Sequence, residues 1–306
     1  MVLVMASCNN SRRVVPFDMD TDEIFKPIEG EETTELGIFT FGKSNIPGFV
    51  IDDDLETDNP DIFINFTNVT ILDVNAKINQ NIFEFITDIL SEYGFINENI
   101  SLPDNEITEA VTKGATLTDI ASHMVNFYKT NFDAQMDTIA SYKVPFNAYF
   151  SVYPFFLDKD VVTYKLAAYC YTGGAHGINI TDVRSYDLES GSALTFENIV
   201  KAESVAAVRE EVAARMAYAY PIYEDIKTVP QYIDSLNVWL NSDSSEDATK
   251  QITAQNFPIE DVAISKEGLL FVYQMYDLTP GSDGCPVVLV PYKDIKGCVN
   301  EKYLPD

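Results

Sequence analysis

The chain has 306 residues, 46% hydrophobic and 12% aromatic, with 48 acids against 20 bases and a formal net charge of −28. That apolar fraction supports a packed core in one large or two ordinary domains and excludes wholesale disorder. The charge excludes nucleic acid as an expected partner, because binding it needs neutralising Lys and Arg, and no apolar run reaches the roughly 20 residues of a membrane span.

The N-terminus reads "MVLVMASCNNS". Four apolar residues, two small ones and then Cys8 resemble the end of a bacterial lipoprotein signal, which is cut before a cysteine that becomes lipidated. Residues 1–8 are therefore expected to be a signal remnant and Cys8 the lipid anchor, the chain's only attachment to a membrane. Only seven residues precede Cys8, so the expectation includes a translation start upstream of Met1. Residues 1–60 carry 13 acids against 4 bases and contain Pro16, Pro27, Pro47 and Pro60. Residues 9–60 thus read as an acidic, loop-rich segment with short strand pieces such as Leu36–Phe41.

"DIFINFTNVTIL" (61–72) alternates with period two and predicts a strand. From Val74 to Tyr93 the apolar residues fall at helical spacing and Gly94 ends the run. A second helix is predicted from an N-cap at Thr118 to Met136, with His123 beside its apolar stripe. Aromatic and β-branched residues then predict strands over 143–157, 161–172 and 178–188. Glu189-Ser190-Gly191 reads as a turn, and Thr195 is placed to cap a short helix at "FENIV". Residues 203–220 favour helix by propensity, with Pro221 at the end, and a further helix is predicted near Tyr232–Leu240. "FPIEDVAIS" and "GLLFVYQMYDL" read as strands joined by a hairpin turn at Lys266-Glu267-Gly268, and 287–292 as a last strand. Strand and helix blocks are segregated, so the expected class is α+β: antiparallel sheets with helices packed on one face, in two linked subdomains.

Between two strand-like runs lies "YCYTGGAHGINI" (169–180). A dinucleotide fingerprint needs G-x-G-x-x-G opening a helix. Here the spacing is G-G-A-H-G and a strand-like run follows. His123 and His176 are the only histidines, too few and too far apart for a zinc cluster, and no G-x-S-x-G or P-loop occurs. The motif reads as a wide hairpin turn, with Gly173, Gly174, His176 and Gly177 as the residues that would meet a partner. No catalytic, metal or cofactor-binding residue is expected. Three cysteines remain beyond Cys8: Cys170, Cys285 and Cys298. Two of them pair in one reading and all are buried free thiols in the other.

"YTGGAHG", a strand, "YDLESGSALTFENIV" and the closing "FPIEDVAISKEGLLFVYQMYDLTPGSDGCPVVLVPYKDI" occur in order, and over about 165–296 they resemble a bacterial envelope domain of unknown function. Residues from about 60 to 165 resemble the domain that usually precedes it. The same pair forms the ectodomain of lysozyme-sensing anti-sigma factors and stands ahead of the catalytic domain in some peptidoglycan deacetylases. The resemblance implies an N-terminal α+β domain over 61–164 and a C-terminal one over 165–306. It also implies a non-catalytic lipoprotein of the cell envelope, held at the outer membrane, that binds a basic protein such as a lysozyme or a cell-wall glycan. The loops at 172–177 and 278–286 are the places such a partner would touch. The competing expectation is a peptidoglycan- or polysaccharide-modifying enzyme, or an accessory subunit of one, with acid pairs such as Asp52-Asp53-Asp54 in acid–base roles. A solvated acidic loop is the plainer account of that run.

Overall fold

The computed structural model describes residues 21–28, 30–34, 37–51, 62–71, 146–171, 176–223, 225–242 and 251–305. Two compact units result, one of Phe25–Ala193 and one of Leu194–Asp306 with the N-terminal segment up to Ile24.

The first unit holds a six-stranded sheet in the order β1-β2-β3-β4-β5-β6. Its strands are β1 (Gly30–Thr34), β2 (Gly37–Ile51), β3 (Ile62–Ile71), β4 (Phe146–Asp158), β5 (Val161–Tyr171) and β6 (Ile178–Asp187). β1–β3 and β4–β6 are antiparallel runs, and the parallel pair β3–β4 joins them. Parallel neighbours need a long crossover, and 74 residues (72 to 145) separate these two strands. The two helices predicted at 74–93 and 118–136 lie in that stretch, outside the described residues, as does His123.

Two corrections to the sequence reading follow. Residues 9–60 are not uniformly loop-rich, because β2 spans 15 of them as a strand. Pro47 is accommodated because the β2–β3 register shifts between Ile46 and Phe49, and a bulge is where a strand tolerates a residue that cannot donate. The expected domain boundary at 164/165 falls inside β5, which pairs along its length with both β4 and β6. The compact units divide at Ala193 and Leu194 instead.

Alternation sets the first unit's core. Val152, Val162, Leu166, Ala168, Ile180 and Tyr186 are buried. On the opposite face of the β5–β6 pair, Thr163 faces Ser185 and their buried hydroxyls bond at 2.8 Å. β4 carries a second bulge, between Pro154 and Phe156. The segment after Ile24 is fastened there: Ile28 N–H donates to Pro154 O at 2.8 Å and Phe25 meets Phe155 edge-on at 5.1 Å. The turn after β6 forms as predicted. Buried Asp187 accepts the Ser190 N–H at 2.8 Å, and Gly191 takes the left-handed φ of 70° that the turn requires.

The second unit holds the three-stranded antiparallel sheet β7 (Asp261–Ile264), β8 (Gly268–Val272), β9 (Val287–Pro291). Around it are α1 (Thr21–Ile24), α2 (Phe196–Ile199), α3 (Val205–Ala219), α4 (Val229–Ser242) and α5 (Tyr292–Ile295). α3 buries Val208, Val212, Ala213, Met216 and Ala217, one face of a 3.6-residue period, and packs on β9 and α4. Thr195 is the N-cap of α2, as predicted, and Asn198 reaches back to complete a capping box, its Oδ1 accepting the N–H and the hydroxyl of Thr195 at 3.0 and 3.1 Å. α4 starts three residues before the predicted Tyr232. Thr228 and Gln231 form a capping pair, with the Thr228 hydroxyl on Gln231 Oε1 at 3.1 Å and the Lys227 N–H on the same oxygen at 3.0 Å. Pro230 is harmless there because the first helical turn has no N–H acceptor to lose.

β8 is buried at every position, and Gly268 is the residue that lets it sit so close to β9. A Cβ on Gly268 would strike the Val290 carbonyl oxygen and come within 2.8 Å of Pro291 Cα. Both neighbours are backbone, so neither yields cheaply. Gly268→Ala is expected to cost about 3 kcal/mol or more, read as a lowered urea midpoint with unchanged slope.

Tyr232, Phe257 and Tyr273 stack in the interior, with neighbouring centroids 6.3 Å apart. Burial pushes the hydroxyls of Tyr232 and Tyr273 above their ordinary 10.0, and the negative charge of Glu260 adds to the effect at Tyr273. Above pH 10 an unfolded chain releases these protons while the folded one retains them, so the unfolded state binds fewer and stability falls. Chemical denaturation is expected to show an undiminished contribution below pH 10 and a loss beginning above it, reduced in Tyr232→Phe.

Candidate functional site

The two loops singled out in the sequence are both hairpin connections, one in each unit. In the first unit, β5 ends at Tyr171, β6 begins at Ile178, and Cys170 pairs with Ile178. β5 and β6 are therefore the arms of an antiparallel hairpin, and a strand, not a helix, follows Gly177. Thr172–Ala175, including the expected contact residues Gly173 and Gly174, lie outside the described residues, as does Cys8. His176 is exposed, with Nδ1 3.2 Å from Gly177 O. Ile178, at 47% exposure, and Asn179 extend that exposed rim.

Gly177 is required by proximity, not by a positive φ. A Cβ there would lie 2.6 Å from Cε2, Cζ and Oη of Tyr169, the β5 residue paired with Asn179. The hydroxyl end of the Tyr169 ring occupies the space that a side chain at Gly177 would need. Because the obstacle is the far end of a side chain, Gly177→Ala is expected to cost only about 1 kcal/mol. The cost should vanish in a Tyr169→Ala background, checked by a thermal double-mutant cycle.

In the second unit the strand predicted through Leu278 stops at Val272. Tyr273 N–H still donates to Pro286 O at 3.0 Å, so 274–285 is a long hairpin loop between β8 and β9. The cause of the departure is Tyr276. Its φ is 72°, and it is the only non-glycine residue with positive φ among the described residues. A left-handed backbone costs an L-residue roughly 1–2 kcal/mol. Asp277 braces the bend, its Oδ2 accepting the Gln274 N–H at 2.6 Å. Tyr276 is 53% exposed, and its ring rests against Gly281, where a Cβ would collide with it. Gly284 supplies a second left-handed turn at φ 70°. The Thr279 hydroxyl is buried with no hydrogen-bond partner, a further cost of order 1–3 kcal/mol. Nothing in the apolar alternation of 268–278 signals Tyr276; only Pro280, Gly281 and Gly284 mark a loop.

Cys285 and Cys298 are free thiols, Cys285 Sγ lying 3.7 Å from Gln274 Oε1. Among the described residues no group of three His, Cys, Asp or Glu is placed to hold a metal ion, and no helix is long and apolar enough to cross a membrane.

The second unit's sequence matches a family model. Residues 210–293 fit the model described as a protein of unknown function (DUF3298). Among solved structures, the chain is similar to a DUF3298 family protein from Pseudomonas aeruginosa PAO1, with 15% identity, 88% of this chain and 97% of the other covered, and a TM-score of 0.48. It is also similar to a DUF3298 member from Bacteroides fragilis NCTC 9343, with 17% identity, 86% and 94% covered, and a TM-score of 0.47. No curated protein matches the chain. From α3 to the start of α5, then, this chain carries a DUF3298 domain, in residues 210–293.

Proposed function

We propose that this protein is a non-catalytic lipoprotein of the cell envelope, anchored through Cys8, that binds a basic protein such as a lysozyme. The observation that carries the reading is the excess of 48 acids over 20 bases. A surface potential of that sign attracts a cationic partner over distances set by ionic strength and repels nucleic acid and anionic polymers. The exposed rim of His176, Ile178 and Asn179 offers a contact with apolar and polar parts at one hairpin end, the mixture that recognition surfaces use. Lipidation of Cys8 suits such a role because an anchored receptor keeps its binding units free in the surrounding fluid.

Titration with a cationic lysozyme at 20 mM and 300 mM salt tests the proposal. Saturable binding is expected at the lower salt, with the association rate falling roughly tenfold or more at the higher, about as a steered encounter should. Absence of saturable binding at both concentrations would contradict the reading.

A further inference from the structure

β4 carries one residue more than β5 between Pro154 and Phe156, and a slot on the first unit is built around that bulge. The extra residue, Phe155, supplies a buried ring, and Pro154 supplies a carbonyl oxygen. Four residues of the N-terminal segment fill the slot. The Phe25 ring is buried, meets Phe155 edge-on at 5.1 Å and has Lys165 Nζ 4.0 Å from its centroid. Three residues on, the Ile28 N–H donates to Pro154 O at 2.8 Å. Pro27 has no N–H to offer and biases Lys26 toward extended backbone, so the segment reaches the slot already straightened. Lys26 and Pro27 themselves are exposed. Segment and slot both belong to the unit of Phe25–Ala193.

We propose that this slot is a docking site for an extended peptide of the form Phe-x-Pro-x from another protein, and that the chain keeps it closed with its own Phe25–Ile28. The seated segment states what such a partner needs. One requirement is an aromatic ring for the gap between Phe155 and the Lys165 ammonium. The other is a backbone donor three residues later for Pro154 O. Extended, proline-bearing peptides suit such slots because they lose little freedom on docking. The segment's own hold is thin: one buried ring, one cation contact and one hydrogen bond set against the ordering of four residues. Opposing terms of that size nearly cancel, so the segment lifts away locally while the strands beneath stay paired. A slot closed in this way takes an outside peptide more weakly than an open one, by the fraction of time it stands open. A second copy is the poorer source of that peptide. Its segment is tied at both ends, to α1 and to β1, and each copy carries a net charge of −28. The site does not depend on the basic-partner reading, and lysozyme titration leaves it undecided.

Fluorescence anisotropy on the full chain tests it, with a labelled peptide of residues 22–30, DEIFKPIEG, as the probe. Phe25→Ala removes the chain's own ring from the slot. That variant is expected to bind the probe with Kd of about 100 µM, roughly tenfold or more tighter than the parent, where the tethered segment competes. A merely structural Phe25 would lose stability on substitution and gain no binding. Ile28→Pro removes the donor to Pro154 O and keeps the ring, so it should bind the probe about threefold tighter than the parent. It also serves as the test if Phe25→Ala does not fold. Phe155→Ala added to either variant should weaken binding about tenfold, and a probe with Ala in place of its Phe should bind neither. No saturable binding of the probe to either variant overturns the inference, as does binding that Phe155→Ala leaves unchanged. A parent chain that dimerises, with the dimer lost in Phe25→Ala while the probe binds neither variant, also overturns it and gives the slot to a second copy.

Discussion

The closeness of β8 to β9 is the constraint on which the second unit depends. Gly268 has no side chain where the Val290 carbonyl and Pro291 pass, so the two strands meet with all of β8 buried. α3 packs on β9, and the Tyr220 hydroxyl after α3 lies 3.1 Å from Val287 N and 3.4 Å from Val287 O. Those bonds satisfy backbone groups that would otherwise be left unpaired at the start of the strand. With its stem fixed in this way, the loop of 274–285 leaves from a rigid base. A strained residue persists only when its surroundings over-determine it, and here Asp277, Gly281 and the Tyr273–Pro286 bond do so.

The first unit follows the same plan on a larger sheet. Its motif-bearing tip is carried by β5 and β6, whose pairing runs without interruption from Val161–Asp187 to Cys170–Ile178. In both units the regular part is buried pairing and the distinctive chemistry sits on the connection, the division expected where a scaffold positions a recognition loop. Acid–base catalysis would need groups held in fixed mutual geometry in a water-poor site. His176 is exposed, with Nδ1 3.2 Å from the Gly177 carbonyl oxygen.

Most of the elements in the described residues were legible in the sequence. Period-two alternation and aromatic enrichment located β3 to β6, and helix propensity located α3, because each is a sum over many residues. What escaped was decided by single residues or by pairing across long separations. β2 was hidden by Pro47, which looks like a breaker until a bulge absorbs it. The parallel β3–β4 pairing leaves no trace in either strand's own pattern. α4 begins before Tyr232 because the Thr228–Gln231 pair caps it there, a signal that Pro230 masks in the sequence. The end of β8 was misplaced because "VYQMYDL" alternates like a strand, while one left-handed residue, Tyr276, takes the chain elsewhere. The G-G-A-H-G turn was read correctly as a hairpin connection, though the role of Gly177 is to admit a ring and not to adopt an unusual φ.

The account rests on the β8–β9 loop being held in one conformation by its stem. Backbone 15N relaxation of Tyr276 to Gly284 measures that most directly. Order parameters of about 0.85, level with those of the strands, are predicted; values below about 0.6 across the loop would contradict it.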